Sequence, residues 1–261
     1  MYVWPEEIPS EEYIRLYFLE KTLRQLVIDQ LSMISKKWWK QRIPGDIRKK
    51  AEDRKKDEEE KLVHTVDLHP IWYVDFLDYV KIVTQKDNWR DVFKKIFRNK
   101  DHFRGIMEEL SPIRNKIAHM RPLSAREKIN LDALSQDILV PIWVRVYNEQ
   151  IVKPSERLAK QGKIREAEDV LIKGFEKTRD PWIAYKVGKL FLENEKFNEA
   201  KKFLEYAQKY LVLPKYKELA KKKLLEVEKK IEFTKFKVCP KCGSKISKEH
   251  SYCGECGYKF Q

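Results

Sequence analysis

Three polar residues near the middle of the chain have the types and spacing needed to bind phosphate and transfer a proton. Arg114, Asn115 and His119 follow the dipeptide Ser111-Pro112, which predicts that a helix begins at Ser111. Arg114 would then lie in the first turn, where the helix dipole favours a phosphate. Arginine binds phosphate through two parallel hydrogen bonds, and histidine transfers protons near neutral pH. The alternative is a helix start whose polar groups are only capped or solvated.

Four cysteines near the C-terminal end have the spacing of a metal site. They form two Cys-x-x-Cys pairs, Cys239/Cys242 and Cys253/Cys256, which are separated by ten residues. A glycine follows each pair and permits the tight turn that directs backbone N–H groups toward sulfur. Four thiolates make a closed tetrahedral site, so we expect one structural Zn²⁺, with iron as the chemical alternative. The segment resembles a zinc ribbon and is too short to hold a core without metal.

Lysines and aromatic residues surround these cysteines. Residues 208–261 contain 14 lysines and 6 acidic residues, and so carry much of the net charge of +14. Lysines interleaved with aromatic rings are typical of an RNA or ribosome contact, although a small packed knob with solvated charges is the alternative. The candidate RNA-binding residues are Lys235, Lys237, Lys241, Lys245, Lys248, Tyr252, Tyr258 and Lys259.

The spacing of apolar residues predicts which face is buried in the helix that carries Arg114, Asn115 and His119. Ile113 and Ile117 lie about 200° round a helix from Asn115 and His119, taking roughly 100° per residue. If the isoleucines face the core, the two polar residues face away from it. The run Ser124-Ala-Arg-Glu127 is a capping box that opens the next helix.

Other segments are also predicted to be helical. Residues 10–35 carry leucines at three- and four-residue steps, which is typical of an amphipathic helix. Residues 47–62 form a highly charged helical segment with almost no apolar face, expected to be solvated and poorly packed. A long helix is expected over 124–150.

An internal repeat follows Pro154. Segments 162–181 and 195–214 align with an offset of 33 residues. The repeated pattern of small residues, leucine and a closing proline resembles tetratricopeptide repeats, whose period is about 34 residues. We expect two TPR-like helical hairpins that bind a protein or serve as a spacer, with other surfaces covering the ends of so short an array. The paired positions are Ala167/Ala200, Leu171/Leu204, Gly174/Ala207 and Pro181/Pro214.

The motif and its surroundings resemble HEPN domains, most closely the Swt1-type branch. Arg114 and His119 fit the Arg-x4-6-His pattern, with a polar residue after the arginine. The segments 73–83 and 89–97 precede the motif in the expected order, and the similarity covers about residues 10–150. The resemblance implies a helical bundle that forms a homodimer, with the two motifs facing each other across a cleft.

The resemblance leaves catalysis open. Catalytic HEPN members are metal-independent ribonucleases, in which His119 would act as acid and base in 2′-OH attack. Arg114 would stabilise the phosphorane and Asn115 would orient the reacting groups. Many other HEPN domains are non-catalytic modules for dimerisation or RNA binding.

Composition limits the classes of partner. The net charge of +14 favours a polyanion such as RNA or a ribonucleoprotein, with solubility as the alternative. The sequence has no apolar run of about 18 residues, and residues 1–7 lack the features of a signal peptide. We therefore expect a cytoplasmic protein with no membrane partner. A Gly-x4-Gly-Lys-Ser/Thr loop is missing, so no nucleotide is expected.

We expect a mostly α-helical chain in three parts. These are a HEPN-like helical domain with an N-terminal helix and charged arm at 1–153, TPR-like repeats at 154–235 and a zinc ribbon at 236–261. The leading hypothesis is a non-enzymatic homodimer in which the HEPN domain dimerises and the zinc ribbon contacts rRNA or a ribosomal protein.

A twofold dimer has two identical tails, which can bridge two ribosomal particles. The chain in this respect resembles archaeal ribosome-dimerising or hibernation-type factors. The first alternative is a HEPN endoribonuclease recruited to RNA by the same tail. The second is a protein-interaction scaffold without RNA contact.

Overall fold

The computed structural model describes residues 10–62, 66–211 and 213–260. The chain divides into two compact units, Met1–Arg157 and Leu158–Gln261. Residues 1–7, on which the signal-peptide prediction rests, lie outside the described ranges. The three-part division predicted from the sequence stays a prediction.

The first unit is built from helices, as predicted. Its α-helices in chain order are α1 (Ser10–Ile34), α2 (Trp38–Arg42), α3 (Gly45–Lys61), α4 (Asp78–Thr84), α5 (Lys86–Asp91), α6 (Lys100–Ala118) and α7 (Ala125–Ile142). Helices α1, α6 and α7 pack against one another, and α4 packs on α6. Within the described ranges, every helix of the chain is too short or too polar to cross a lipid bilayer.

The helix that carries the polar motif begins far upstream of its predicted start. Asn99 caps the N-terminus of α6, so the prediction of a start at Ser111 is wrong. Pro112 lies inside α6, on its exposed side. Proline in a helix interior costs about 3 kcal/mol. The helix nevertheless continues because an apolar stripe from Phe103 to Ile117 is buried along it, and this burial outweighs the lost hydrogen bond.

The charged helix α3 packs more closely than expected. Ile47 and Ala51 are buried, which gives the N-terminal half of the helix an apolar face. Asp75 accepts a hydrogen bond from Arg54 at 2.6 Å and also pairs with Lys50. These contacts hold α3 against the following segment, so the prediction of a poorly packed arm is wrong for this part of the helix.

The capping box is present at the start of α7. The Ser124 hydroxyl accepts from the backbone N–H of Glu127, and the Glu127 carboxylate accepts from the backbone N–H of Ser124 at 2.8 Å. The helix predicted to extend to residue 150 continues beyond Ile142 as a π-helical segment, Trp143–Val152. That segment leads into α8, Lys153–Lys160.

The second unit contains the two predicted helical hairpins and a small sheet. Its further elements are α9 (Ile164–Thr178), α10 (Pro181–Glu193), α11 (Phe197–Tyr210), α12 (Pro214–Thr234), β1 (Phe236–Val238) and β2 (Lys245–Ser247). Helix α9 pairs with α10, and α11 pairs with α12, while α10 and α11 share a close interface. The predicted repeat therefore corresponds to one helical hairpin per copy.

Small residues allow the close approach of α10 and α11. A Cβ atom added to Gly188 would lie 2.7 Å from Cγ of Leu204. Ala200 and Ala207 are fully buried on α11. These small residues explain the repeat pattern physically, because a larger side chain at the contact would push the helices apart.

Candidate functional site

The four cysteines converge at the C-terminal sheet. Their Sγ atoms all lie within 4.8 Å of one another. The Sγ atoms of Cys239 and Cys256 are 3.6 Å apart, as are those of Cys242 and Cys253. A tetrahedral ion with metal–sulfur bonds of about 2.3 Å needs sulfurs roughly 3.8 Å apart. The donor set therefore fits one metal ion, and the separations are far longer than a disulfide of about 2.05 Å.

Glycines make the turns of both Cys-x-x-Cys pairs, as the sequence predicts. Gly243 and Gly257 have positive φ angles of 76° and 71°. The N–H of Gly243 donates to the carbonyl of Cys239 at 2.8 Å, and the N–H of Gly257 donates to the carbonyl of Cys253 at 2.9 Å. A side chain at either glycine would strain the turn, because other residues rarely adopt a positive φ.

The cysteine cluster is buried on one side and open on the other. Cys239 and Cys253 are buried together with Ile246, whereas Cys242 is exposed. Hydrogen bonds from the Ser244 hydroxyl and then the Ser244 backbone N–H lower the pKa of the Cys242 thiol to about 6. The lowered pKa favours the metal-binding thiolate form at this one cysteine, whereas the pKa of the Cys256 thiol is raised to about 12.

The predicted RNA-contacting residues surround this cluster. Apart from Lys237, which is half-buried, they are exposed. The Lys237 ammonium lies 3.8 Å from the ring centre of Phe260. Tyr252 and Lys259 are joined by an antiparallel backbone bridge, and Tyr252 is 55% exposed. The ribbon thus presents ammonium groups and accessible rings, which are the side chains that bind phosphates and bases.

The polar motif, Arg114, Asn115 and His119, lies at the C-terminal end of its helix. The sequence had predicted that it would lie at the N-terminal end. Arg114 and Asn115 are near the C-terminus of α6, and His119 is its C-cap. The predicted phosphate site at a helix N-terminus is therefore wrong, since the C-terminal end of a helix dipole is negative. The predicted faces are correct, because Asn115 and His119 are exposed whereas Ile113 and Ile117 are buried.

A carboxylate of α1 holds the guanidinium of Arg114. Its Nε donates to Oε1 of Glu20 at 3.0 Å, and its Nη1 lies 3.5 Å from Oδ1 of Asn115. The Glu20 contact spans 94 residues of sequence. No local pattern predicts a partner at that separation, so Glu20 was not among the predicted site residues.

A groove of about 330 Å³ adjoins this ion pair. It contains three cationic side chains and the single carboxylate of Glu20, together with partly exposed rings. The guanidinium carbon of Arg24 lies 4.4 Å from the ring centre of Trp72. These residues are far apart in the sequence, and their spacing does not indicate a shared site. The residues that line the groove include Tyr13, Tyr17, Lys21, Arg24, Trp72, Arg114 and Met120.

Comparison with known families gives a match within the first unit. Residues 15–142 match the model of the Swt1-like HEPN family. The matched range includes Glu20, Arg114, Asn115 and His119. No curated protein and no solved structure matches the chain.

Proposed function

We propose that this chain, whose residues 15–142 form a Swt1-like HEPN domain, is a homodimeric RNA-binding factor that contacts ribosomal particles. A HEPN domain supports an RNA-related function. The observation that carries the proposal is the set of exposed lysines and tyrosines around the four-cysteine cluster. Residues 208–261 have 14 lysines against 6 acidic residues, which favours a polyanionic partner.

The metal in this proposal is one structural Zn²⁺. Cys239, Cys242, Cys253 and Cys256 would hold it, and they leave no coordination position for a substrate. The ion supplies the cross-link that a sheet of two three-residue strands lacks. The chain's own lysines and rings then contact RNA.

The groove of the HEPN domain is the proposed contact between the two copies. Tyr13, Tyr17 and Met120 expose apolar surface there, and Met120 is 68% exposed. A twofold contact between two such faces would place one ribbon on each copy. A dimer of this kind can bridge or silence ribosomal particles by binding one particle with each ribbon.

The dimer contact is tested by adding charge to it. Tyr17→Glu combined with Met120→Glu is expected to convert a dimer at micromolar concentration into a monomer, because each substitution replaces apolar surface of the contact with a charged group that must lose its water. Light scattering measures the mass. Ile129→Glu, at an exposed apolar position on α7, is the control and should stay dimeric. A wild-type chain that is monomeric at micromolar concentration would contradict the bridging role.

RNA binding is tested by its salt dependence. We expect the affinity of the zinc-loaded chain for RNA to fall steeply with salt, by fluorescence anisotropy. Lys241→Gln combined with Lys248→Gln should reduce the log–log slope by about 1.4, at roughly 0.7 per phosphate contact on single strands. The exposed Lys49 and Lys173 give a control pair, for which Gln substitutions should leave the slope unchanged. A shallow slope for the wild type would favour the scaffold without RNA contact.

An endoribonuclease is the second candidate, favoured by one observation. Asn115 and His119 are exposed at the same helix end as Arg114. In this candidate His119 transfers protons, Arg114 binds the phosphorane oxygens after leaving Glu20, and Asn115 orients. The ion pair with Glu20 opposes this role, since it occupies the Nε edge of the guanidinium.

The two candidates are separated by the integrity of the RNA. If the chain is a nuclease, the wild type should shorten the RNA. The His119→Ala variant should leave the RNA intact and still bind it. The exposed His102 is a matched control, and His102→Ala should cleave as the wild type does. If the chain is a non-enzymatic binding factor, the RNA should stay intact with the wild type, with His119→Ala and with His102→Ala.

A further inference from the structure

Two phenylalanines are exposed where α12 leads into β1. Phe233 is 65% exposed and Phe236 is 42% exposed. The buried stripe of α12 runs through Ala220, Leu224 and Val227 at three- and four-residue steps. Phe233 lies off the continuation of this stripe, so packing of the helix does not account for the ring.

Strand alternation places Phe236 on the outer face of the sheet. Ile246 of β2 points into the small core formed with the buried cysteines. Its neighbours Lys245 and Ser247 therefore point to the other face. Their cross-strand partners are Val238 and Phe236, respectively. The outer face thus combines apolar side chains with the ammonium group of Lys245.

The two rings and two ammonium groups line one pocket. It has a volume of about 500 Å³, and Lys229, Glu232, Phe233, Phe236 and Lys245 line it. The Lys245 ammonium lies 5.2 Å from the ring centre of Phe233. Two cations against one carboxylate leave the lining positive, in a region that carries 14 lysines and 6 acidic residues. An exposed ring can stack on a nucleic-acid base, and the neighbouring ammonium groups can bind the phosphates joined to that base.

We infer that this pocket is a stacking site for an unpaired base of single-stranded RNA. Phe233 and Phe236 contact the base, and Lys229 and Lys245 bind the flanking phosphates. The inference rests on the proposed RNA-binding function and adds the form of RNA that is selected. Bases inside a duplex are already stacked, so their faces cannot enter the pocket. The positive charge of the segment favours RNA over an apolar peptide as the occupant.

The test compares single-stranded with duplex RNA. The zinc-loaded full chain is titrated with a labelled unstructured oligonucleotide and with a hairpin duplex of equal length, using fluorescence anisotropy. Phe233→Leu and Phe236→Leu keep apolar volume but remove the aromatic face. Each is expected to weaken single-strand binding by roughly 5-fold, the lower end of the range for replacing a stacking ring with alanine, because leucine keeps apolar contact with the base. Duplex affinity and the salt slope should stay as in the wild type.

Matched variants separate stacking from charge and from folding. Phe233→Tyr and Phe236→Tyr keep the ring and should retain single-strand affinity. Lys229→Gln and Lys245→Gln should each reduce the single-strand salt slope by about 0.7. This is the opposite pattern to that of the leucine variants, which lower affinity without changing the slope.

Four results would overturn the inference. Leucine variants that bind the single strand as tightly as the wild type would exclude the stacking site and leave the proposed function standing. Equal losses on single strand and duplex would show that the rings act through the fold. A wild-type chain that binds neither RNA would overturn the proposed function as well. If the leucine variants instead change the mass measured by light scattering, the occupant is a second copy of the chain.

Discussion

Arg114 has a structural partner that constrains what the motif can do. Glu20 accepts from its Nε, and both side chains are partly buried. A phosphate approaching this guanidinium would compete with the carboxylate for the same donors. This ion pair would therefore have to open before the Nε edge of Arg114 could bind a phosphate, as the endoribonuclease alternative requires.

Glu127 gives a pH-dependent contribution beside the same motif. Hydrogen bonds from the Lys116 ammonium, and then from the Ser124 N–H and hydroxyl, lower the pKa of its carboxyl to about 2. Because the folded-state pKa lies below the ordinary 4.5, the carboxylate stabilises the fold above pH 4.5. That stabilisation is lost as pH falls from about 4.5 toward about 2.

Substitution of Glu127 tests this linkage. We expect Glu127→Gln to lower the melting temperature at pH 7, and the difference from wild type to shrink as pH falls through that window. Thermal unfolding followed by circular dichroism measures it. A difference that stays constant down to about pH 2 would contradict the assignment.

Substitution of Gly188 and of Gly105 by alanine should change the stability of the fold in opposite directions. A Cβ at Gly188 would meet Leu204 at 2.7 Å and the carbonyl of Ala200 at 3.2 Å, whereas a Cβ at Gly105 meets nothing within 4 Å. Gly188→Ala should destabilise the chain by about 1–3 kcal/mol through overpacking. Gly105→Ala, inside α6, should stabilise it by about 0.5–1 kcal/mol. Denaturant unfolding measures both, and a Gly188→Ala variant as stable as wild type would contradict the close approach of α10 and α11.

The C-terminal ribbon, residues 236–260, is expected to depend on a bound metal ion for its fold, whereas the helices are not. Its core consists of Ile246 and the buried Cys239 and Cys253, with Cys256 and Phe260 packed against them. So small a core cannot offset the entropy of ordering the segment without metal. The helices of both units have apolar faces of their own.

Metal removal should therefore unfold one element selectively. We expect chelation, or Cys253→Ser, to abolish amide-exchange protection over residues 236–260 while α9 to α11 keep theirs. Metal analysis should find one Zn²⁺ per chain before chelation. RNA affinity should fall together with the loss of protection. Protection of the ribbon that survives complete metal removal would exclude a structural metal.

Sequence patterns predict helices and turns well where the residues that contact one another lie close together in the sequence. The Ser124–Glu127 capping box, the glycine turns and the helical hairpins all follow from spacings of a few residues or one repeat. The start of α6 was wrongly predicted because Ser111-Pro112 is a strong local signal, and burial of a long apolar stripe overrides it. Glu20 lies 94 residues from its partner Arg114 in the sequence, and local sequence patterns do not predict contacts at that separation.

In the proposed function, the HEPN domains of two copies pair with each other, and the basic ribbon of each copy binds RNA. Each part has its own test, since dimerisation and RNA binding are separate equilibria. Their combination has a consequence that neither part has alone, because two ribbons on one twofold dimer can hold two particles. Bridging therefore requires both the paired domain and the metal-loaded ribbon.

Bridging is tested by sedimentation of the chain with ribosomal subunits. The zinc-loaded chain is mixed with subunits at low salt and run on a density gradient, and particle size and RNA integrity are read from the same fractions. We expect the chain to co-sediment with intact RNA and to produce a heavier peak, which Tyr17→Glu combined with Met120→Glu removes. A chain that stays at the top of the gradient, or RNA that is shortened by the wild type and not by His119→Ala, would contradict the proposed function.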